Sequence, residues 1–182
     1  MKILFMLPLL MFSLNSCVYH DSKKNDEIDF INCKYQAEQG DARAQFNLGC
    51  HYIEGEGTTQ DYKQAYKWNT KAAEQGYAPA QFNLALMYYR GKGTPQDYKQ
   101  AHKWYTKAAE QGDAPAQYNL ALMYYKGNGT KQDYILAYMF FNIASTNSYE
   151  NARESRDIVS QQMTPEQVIE AQKMATEWLD KH

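Results

Sequence analysis

From Gly40 onward, small and apolar residues return along the chain at the spacing of one helix face, and the whole arrangement then returns again. Ala44, Leu48, Gly49 and Tyr52 fall on one stripe of a helix running from about Asp41 to Glu54. Asp41 stands where a side chain accepts the free N–H groups of a first turn. Gly55 stands where a helix gives way to a left-handed residue. After a Gly-x-Gly-Thr loop a second helix starts at Asp61, with Ala65, Trp68 and Ala72 as its buried stripe. Small residues there let two helices approach closely, and the aromatic fills the space between layers.

Gly40, Gly76 and Gly112 are 36 residues apart, and the text after each is nearly the same. The first and second units agree at 25 of 36 positions and the second and third at 20 of 36, without a gap. Self-similarity at this period marks stacked units, none of which buries its apolar face alone. The second-helix stripe continues as Ala101, Trp104 and Ala108, then as Ala137, Phe140 and Ala144, and Asp97 and Asp133 start those helices. Pro79 and Pro115 sit in first turns, where a missing N–H costs nothing. Residues 28–39 match a second helix alone. Past the third unit Ser148 replaces the glycine, and 151–162 is more polar. Thr164-Pro165-Glu166-Gln167 opens a last helix whose face is Val168, Ala171, Ala175, Trp178 and Leu179. The predicted architecture is all-α: a right-handed α-α superhelix of three full repeats (40–147), an N-terminal half repeat (28–39) and a C-terminal capping helix pair (148–182).

The start of the chain belongs to another pattern. Lys2 precedes an apolar run over 3–12, too short to span a bilayer, and Leu14-Asn15-Ser16-Cys17 follows. That ending resembles the cleavage box of bacterial lipoproteins. The resemblance implies a signal peptide over 1–16, lipidation of Cys17 and a polar tether over 17–27. Acyl chains on Cys17 would hold the protein to the cell envelope on its periplasmic face. Val18, where an inner-membrane lipoprotein often carries Asp, favours the outer membrane.

The Gln-x-Asn-Leu-Gly/Ala-x-x-Tyr run from Gln45, Gln81 and Gln117 and the Gly-x-Gly-Thr loop resemble Sel-one-like repeats, as do Asp-x-x-x-Ala-x-x-Trp and Ala-Ala-Glu-Gln-Gly. These are relatives of tetratricopeptide repeats. The resemblance implies a solenoid whose first helices line a concave face and hold a protein or peptide. The groove-facing columns are then Phe46, Phe82 and Tyr118; Cys50, Leu86 and Leu122; and Ile53, Tyr89 and Tyr125. Glu54, Arg90 and Lys126 form the rim. About half of the nine are expected to be buried by neighbouring units, with Ile53, Tyr89 and Tyr125 the most accessible. Some relatives grip a C-terminal carboxylate with Lys, Asn and Arg in the first two columns; this chain has none there. Tyr and Phe suit an amphipathic helix or an extended apolar segment instead. Asn47, Asn83 and Asn119 are expected to bond backbone between helices.

Composition narrows the function. Of 182 residues 44% are hydrophobic and 22% charged, as in a folded soluble protein, and 16 are tyrosine. A net charge of −2 provides no basic field, so nucleic acid is not an expected partner. His20, His51, His102 and His182 lack metal-ligand spacing, and there is no nucleophile elbow. The repeat itself accounts for the loop glycines. The expectation is no catalytic residue, no metal and no cofactor. Cys33 and Cys50 lie 7 and 10 residues from the Gly40 turn on adjacent helices, and an oxidising compartment permits their pairing. Cysteine-rich, β-lactamase-like members of the resembled family carry a pair bracketing each turn. Ala37 and Gln45 hold the corresponding places here. Three readings stand at this point: a protein-binding scaffold of the bacterial envelope, an immunity or inhibitor protein against a secreted toxin, and, in another class, a β-lactamase-like or cell-wall-active enzyme.

Overall fold

The computed structural model describes residues 26–182. The expected signal peptide, Cys17 and nearly all of the tether lie outside them. The described residues form nine helices and no strand. These are α1 (Asp26–Glu38), α2 (Ala42–Glu54), α3 (Tyr62–Glu74), α4 (Ala78–Arg90), α5 (Tyr98–Ala109), α6 (Ala114–Lys126), α7 (Tyr134–Thr146), α8 (Ala152–Ser160) and α9 (Pro165–Leu179). From α1 to α8 each helix packs on the next in the chain, which is the order of a solenoid.

Local chemistry sets the helix ends. Asp41 and Asp113 accept first-turn N–H groups from Ala44 and Ala116 at 2.6 and 2.7 Å. Asp61 and Asp97 accept two each, and Asp133 accepts one from Leu136. Thr164 and Gln167 make the reciprocal pair of bonds expected of their spacing. Gly55, Gly91 and Gly127 close α2, α4 and α6 at φ of 76°, 66° and 72°.

The core is the repeat written three times. Leu48, Leu84 and Leu120 are buried in the first helices, and Ala65, Ala101 and Ala137 in the second. Trp68, Trp104 and Phe140 fill the gaps. Lys71 lies 4.4 Å over the Trp68 ring and Lys107 4.6 Å over that of Trp104. Each lysine stem shields the ring's outer side while its charge reaches water.

A polar ladder ties the units together. Gln45, Gln81 and Gln117 are buried, and their amides donate to the carbonyls of Ala37, Ala73 and Ala109 on the preceding helix. Their own oxygens accept from Gln75, Gln111 and Asn147 at 2.7, 2.7 and 2.8 Å. The asparagine column does not do this. Asn119 turns back to Pro115 in its own helix, Asn83 donates to Cys50 Sγ, and Asn47 is exposed. The helix-bridging role expected of the asparagines belongs to the glutamine two positions earlier, because that side chain points at the preceding turn.

The second loop glycine fixes the spacing of the stack. Gly93, at φ 74°, lies so close to the start of α3 that a Cβ would overlap the Tyr62 carbonyl oxygen. Gly129 stands in the same relation to Tyr98. At the far end α8 takes the place of a fourth first helix. Tyr118 is covered there, its hydroxyl 3.1 Å from Ser155 Oγ. The last helix, α9, packs on α7, with Trp178 against Phe140 and Gln172 bonded to Tyr138.

Candidate protein-binding face

The first helices α2, α4 and α6 carry all nine residues expected to face the groove, and the structure divides them, with Cys50 buried. Phe46, Tyr89, Leu122 and Tyr125 are half-buried and reach the surface. Phe82, Leu86 and Tyr118 are buried in the main core. Phe82 rests on the Tyr105 ring at 5.8 Å, and Tyr118 lies between Phe141 and Tyr149. Ile53, expected to be among the most accessible, is 2% exposed. It packs with Ala65 and Met87 because the last turn of α2 is covered by both the second helix of its own unit and the first of the next. At the C-terminal end α8 and Tyr149 cover Tyr118 as the next first helix of the stack would.

A cleft of about 410 Å³ is bounded by α1, α2 and the start of α4. Phe46, Asn47 and His51 are in its wall, with Arg43, Glu54 and Glu56 among its ionisable groups and Tyr77 closing one side. Phe30 holds His51 edge-on at 5.9 Å, and His51 Nδ1 is 3.0 Å from the Glu56 carbonyl. Tyr77 meets Phe46 at 5.4 Å between ring centroids. Tyr77 was not singled out from the sequence, though a signal was there. It occupies the position held by capping Asp41 and Asp113 in the other units, and makes no side-chain cap bond. An aromatic ring stands in the cleft at the cost of a helix cap, worth about 1 kcal/mol.

The half-buried aromatics on the other units are partly committed. Tyr89 leans on Tyr98 at 5.1 Å and accepts a bond from Asn128 at 3.2 Å. Tyr125 sits 5.8 Å from Tyr134. These contacts hold the rings in fixed positions, which lowers the entropy lost when a partner lands on them.

Cys33 and Cys50 do not pair with each other. Cys33 is a free thiol that donates to the Ala44 carbonyl at 3.1 Å, and Cys50 is engaged elsewhere. Cys50 lies six residues beyond Ala44 on α2, about 9 Å along the axis, outside the reach of a Cys33 sulfur held at Ala44. Burial, with Asp41 and Asp29 nearby, pushes the Cys33 thiol up to about 11, so it stays protonated.

Glu54 is the electrostatic oddity of the cleft. One carboxylate oxygen is buried with no hydrogen-bond partner, and burial, reinforced by the charge of Glu56, pushes the group up to about 7. Its folded value lies above its unfolded one. The folded chain therefore binds more protons than the unfolded chain between about pH 4.5 and 7, and stability falls as pH rises through that window. Glu54→Gln is expected to flatten this slope. Urea midpoints at pH 5 and pH 8 measure it; an unchanged difference between the two would mean that Glu54 is solvated.

Among the described residues no helix is long and apolar enough to cross a membrane, and no cluster of three or more His, Cys, Asp or Glu is arranged to hold a metal. Helix pairs stacked in chain order define a helical-repeat solenoid. A family model described as Sel1 repeat matches residues 42–77, 78–113 and 114–149, and the chain belongs to that family. Two solved structures are similar. One is c5321 of uropathogenic Escherichia coli, described as a protective antigen with this repeat fold: 39% identity, TM-score 0.82, covering 87% of this chain and 34% of that one. The other is a Sel1 repeat protein of Oxalobacter formigenes: 33% identity, TM-score 0.73, covering 85% of this chain and 63% of that one. The chain thus spans about a third of the first and less than two thirds of the second. No curated protein matches the sequence. Sel1 repeats are in general protein-interaction modules without catalysis of their own.

Proposed function

We propose that this chain is an exported binding module of the bacterial cell envelope that holds a partner polypeptide on the face of α2 and α4, with Phe46 and Tyr77 as its anchor. The observation that carries this reading is Tyr77: a position that caps its helix in the neighbouring units is given to an aromatic ring facing an open cleft. Tyr89, Leu122 and Tyr125 extend the apolar track along the later units. A short amphipathic helix or extended apolar segment suits such a track, with a basic group set against Glu54 and Glu56. The envelope location rests on Cys17 following an apolar run, and the protective-antigen role of the Escherichia coli relative favours it.

The test separates binding from folding. Tyr77→Asp restores a cap worth about 1 kcal/mol and loses a ring contact of about the same size, so the melting temperature stays near wild type. Recovery of proteins crosslinked to the chain in the native envelope is expected to fall about tenfold, the effect of losing one modest interface anchor. A variant that melts normally and recovers the same proteins in the same amounts would sink the assignment of this cleft.

A further inference from the structure

One face of α1 departs from the repeat. In α3 the three outward positions are Gln64, Lys67 and Lys71, and in α5 they are Gln100, Lys103 and Lys107; the lysines are exposed. One and two repeats later, in α7, the same positions are Leu136, Met139 and Ile143. There the face is covered: α9 lies on α7, and Met139 and Ile143 are buried. In α1, one repeat earlier than α3, these positions are Ile28, Ile31 and Tyr35, and they are 59%, 58% and 66% exposed. The three form one stripe along the helix. The positions that would face a first helix of the same unit are polar instead: Asp29, Asn32 and Gln36. The apolar stripe is therefore not left over from a missing half repeat. Elsewhere in this chain a stripe at this place is the seat of a helix.

We propose that this face pairs with the same face of a second copy of the chain, α1 against α1, antiparallel about Ile31. The stripe is self-complementary in that arrangement: Ile31 meets Ile31, and Ile28 of each copy meets Tyr35 of the other. The flanking charges agree with it. Glu27 and Lys34 are both exposed on one side of the stripe. A two-fold axis through Ile31 brings Glu27 of each copy to Lys34 of the other, giving two opposite-charge contacts, with exposed Glu38 about one turn beyond them at the end of the helix. The other flank carries uncharged Asn32 and Gln39. An anionic lipid surface fits less well, because Glu27 borders the stripe. Ile28, Ile31 and Tyr35 are not in the wall of the cleft at Tyr77, so this inference rests on other residues than the binding role proposed above.

The full chain carrying a benzophenone amino acid in place of Ile31 is irradiated in cells. The expected product has twice the mass of the chain and contains only this protein. The double variant Ile28→Lys with Ile31→Lys, which alters exposed positions only, is expected to keep wild-type helicity and melting while its sedimentation coefficient drops to that of a monomer. Crosslinks to lipid, to another protein, or only within one chain would overturn the proposal. So would a double variant that sediments like wild type.

Discussion

Gly93→Ala is expected to lower the melting temperature by about 10 °C, corresponding to a loss of about 4 kcal/mol for a chain of this size. Two effects add. A left-handed φ of 74° disfavours any residue with a Cβ, by about 1–2 kcal/mol. The added methyl also overlaps the backbone carbonyl of Tyr62, and backbone atoms at a helix start have little room to give. Relief requires the loop to lift from α3, which disturbs Lys92 over the Tyr62 ring. The control is Gly76→Ala, at φ 89° with nothing within 4 Å of the new methyl. It bears only the conformational cost, about 1–2 kcal/mol, or roughly 3–6 °C. Thermal melts by circular dichroism separate the two. Equal losses would show that the loop does not press on the neighbouring unit.

Gln117→Leu is expected to cost about 1–3 kcal/mol, the net worth of two hydrogen bonds, read from urea unfolding at constant pH. Leucine fills nearly the same volume, so the loss isolates the hydrogen bonds. The Ala109 carbonyl loses the Gln117 amide at 3.2 Å but keeps the Gly112 N–H at 3.0 Å, and Asn147 loses its acceptor at 2.8 Å. The Ala109 carbonyl is not orphaned, and Asn147 is exposed and turns to water, so the penalty stays near that of two ordinary hydrogen bonds. Adding Asn147→Ala to the variant should then change little, because the two share one bond. A cost below about 0.5 kcal/mol would mean that water replaces the amide at that turn.

The helices were legible because their ends are written in short-range chemistry. Asp41, Asp61, Asp97, Asp113 and Asp133 cap where their spacing placed them, and the period of 36 announced the stack. Long-range pairings were not. The glutamine ladder joins residues 30 apart, such as Gln45 and Gln75, and nothing in a single polar letter tells whether it faces water or a buried carbonyl. Ile53 illustrates the same limit. Tyr89 and Tyr125 of its column stay half-buried, but a branched aliphatic in the last turn packs wholly inward on Met87. Covering of Tyr118 was hidden because α8 packs with small residues, Ala152 and Ser155, that carry no strong apolar signal. The cleft was half visible: Phe46 was in the expected column, while Tyr77 showed itself only as a departure from its own repeat.

Every bridge described here, the glutamine bond and the glycine seat alike, joins a unit to its immediate neighbour. An interior unit therefore knows nothing of its ordinal place. Unequal recombination between the near-identical stretches of the gene could delete or duplicate 36 codons and still yield a protein whose joints all fit. Evolution can thus adjust the length of the stack in whole steps, and the apolar letters at Leu136, Met139 and Ile143 act as the full stop that says where the count ends.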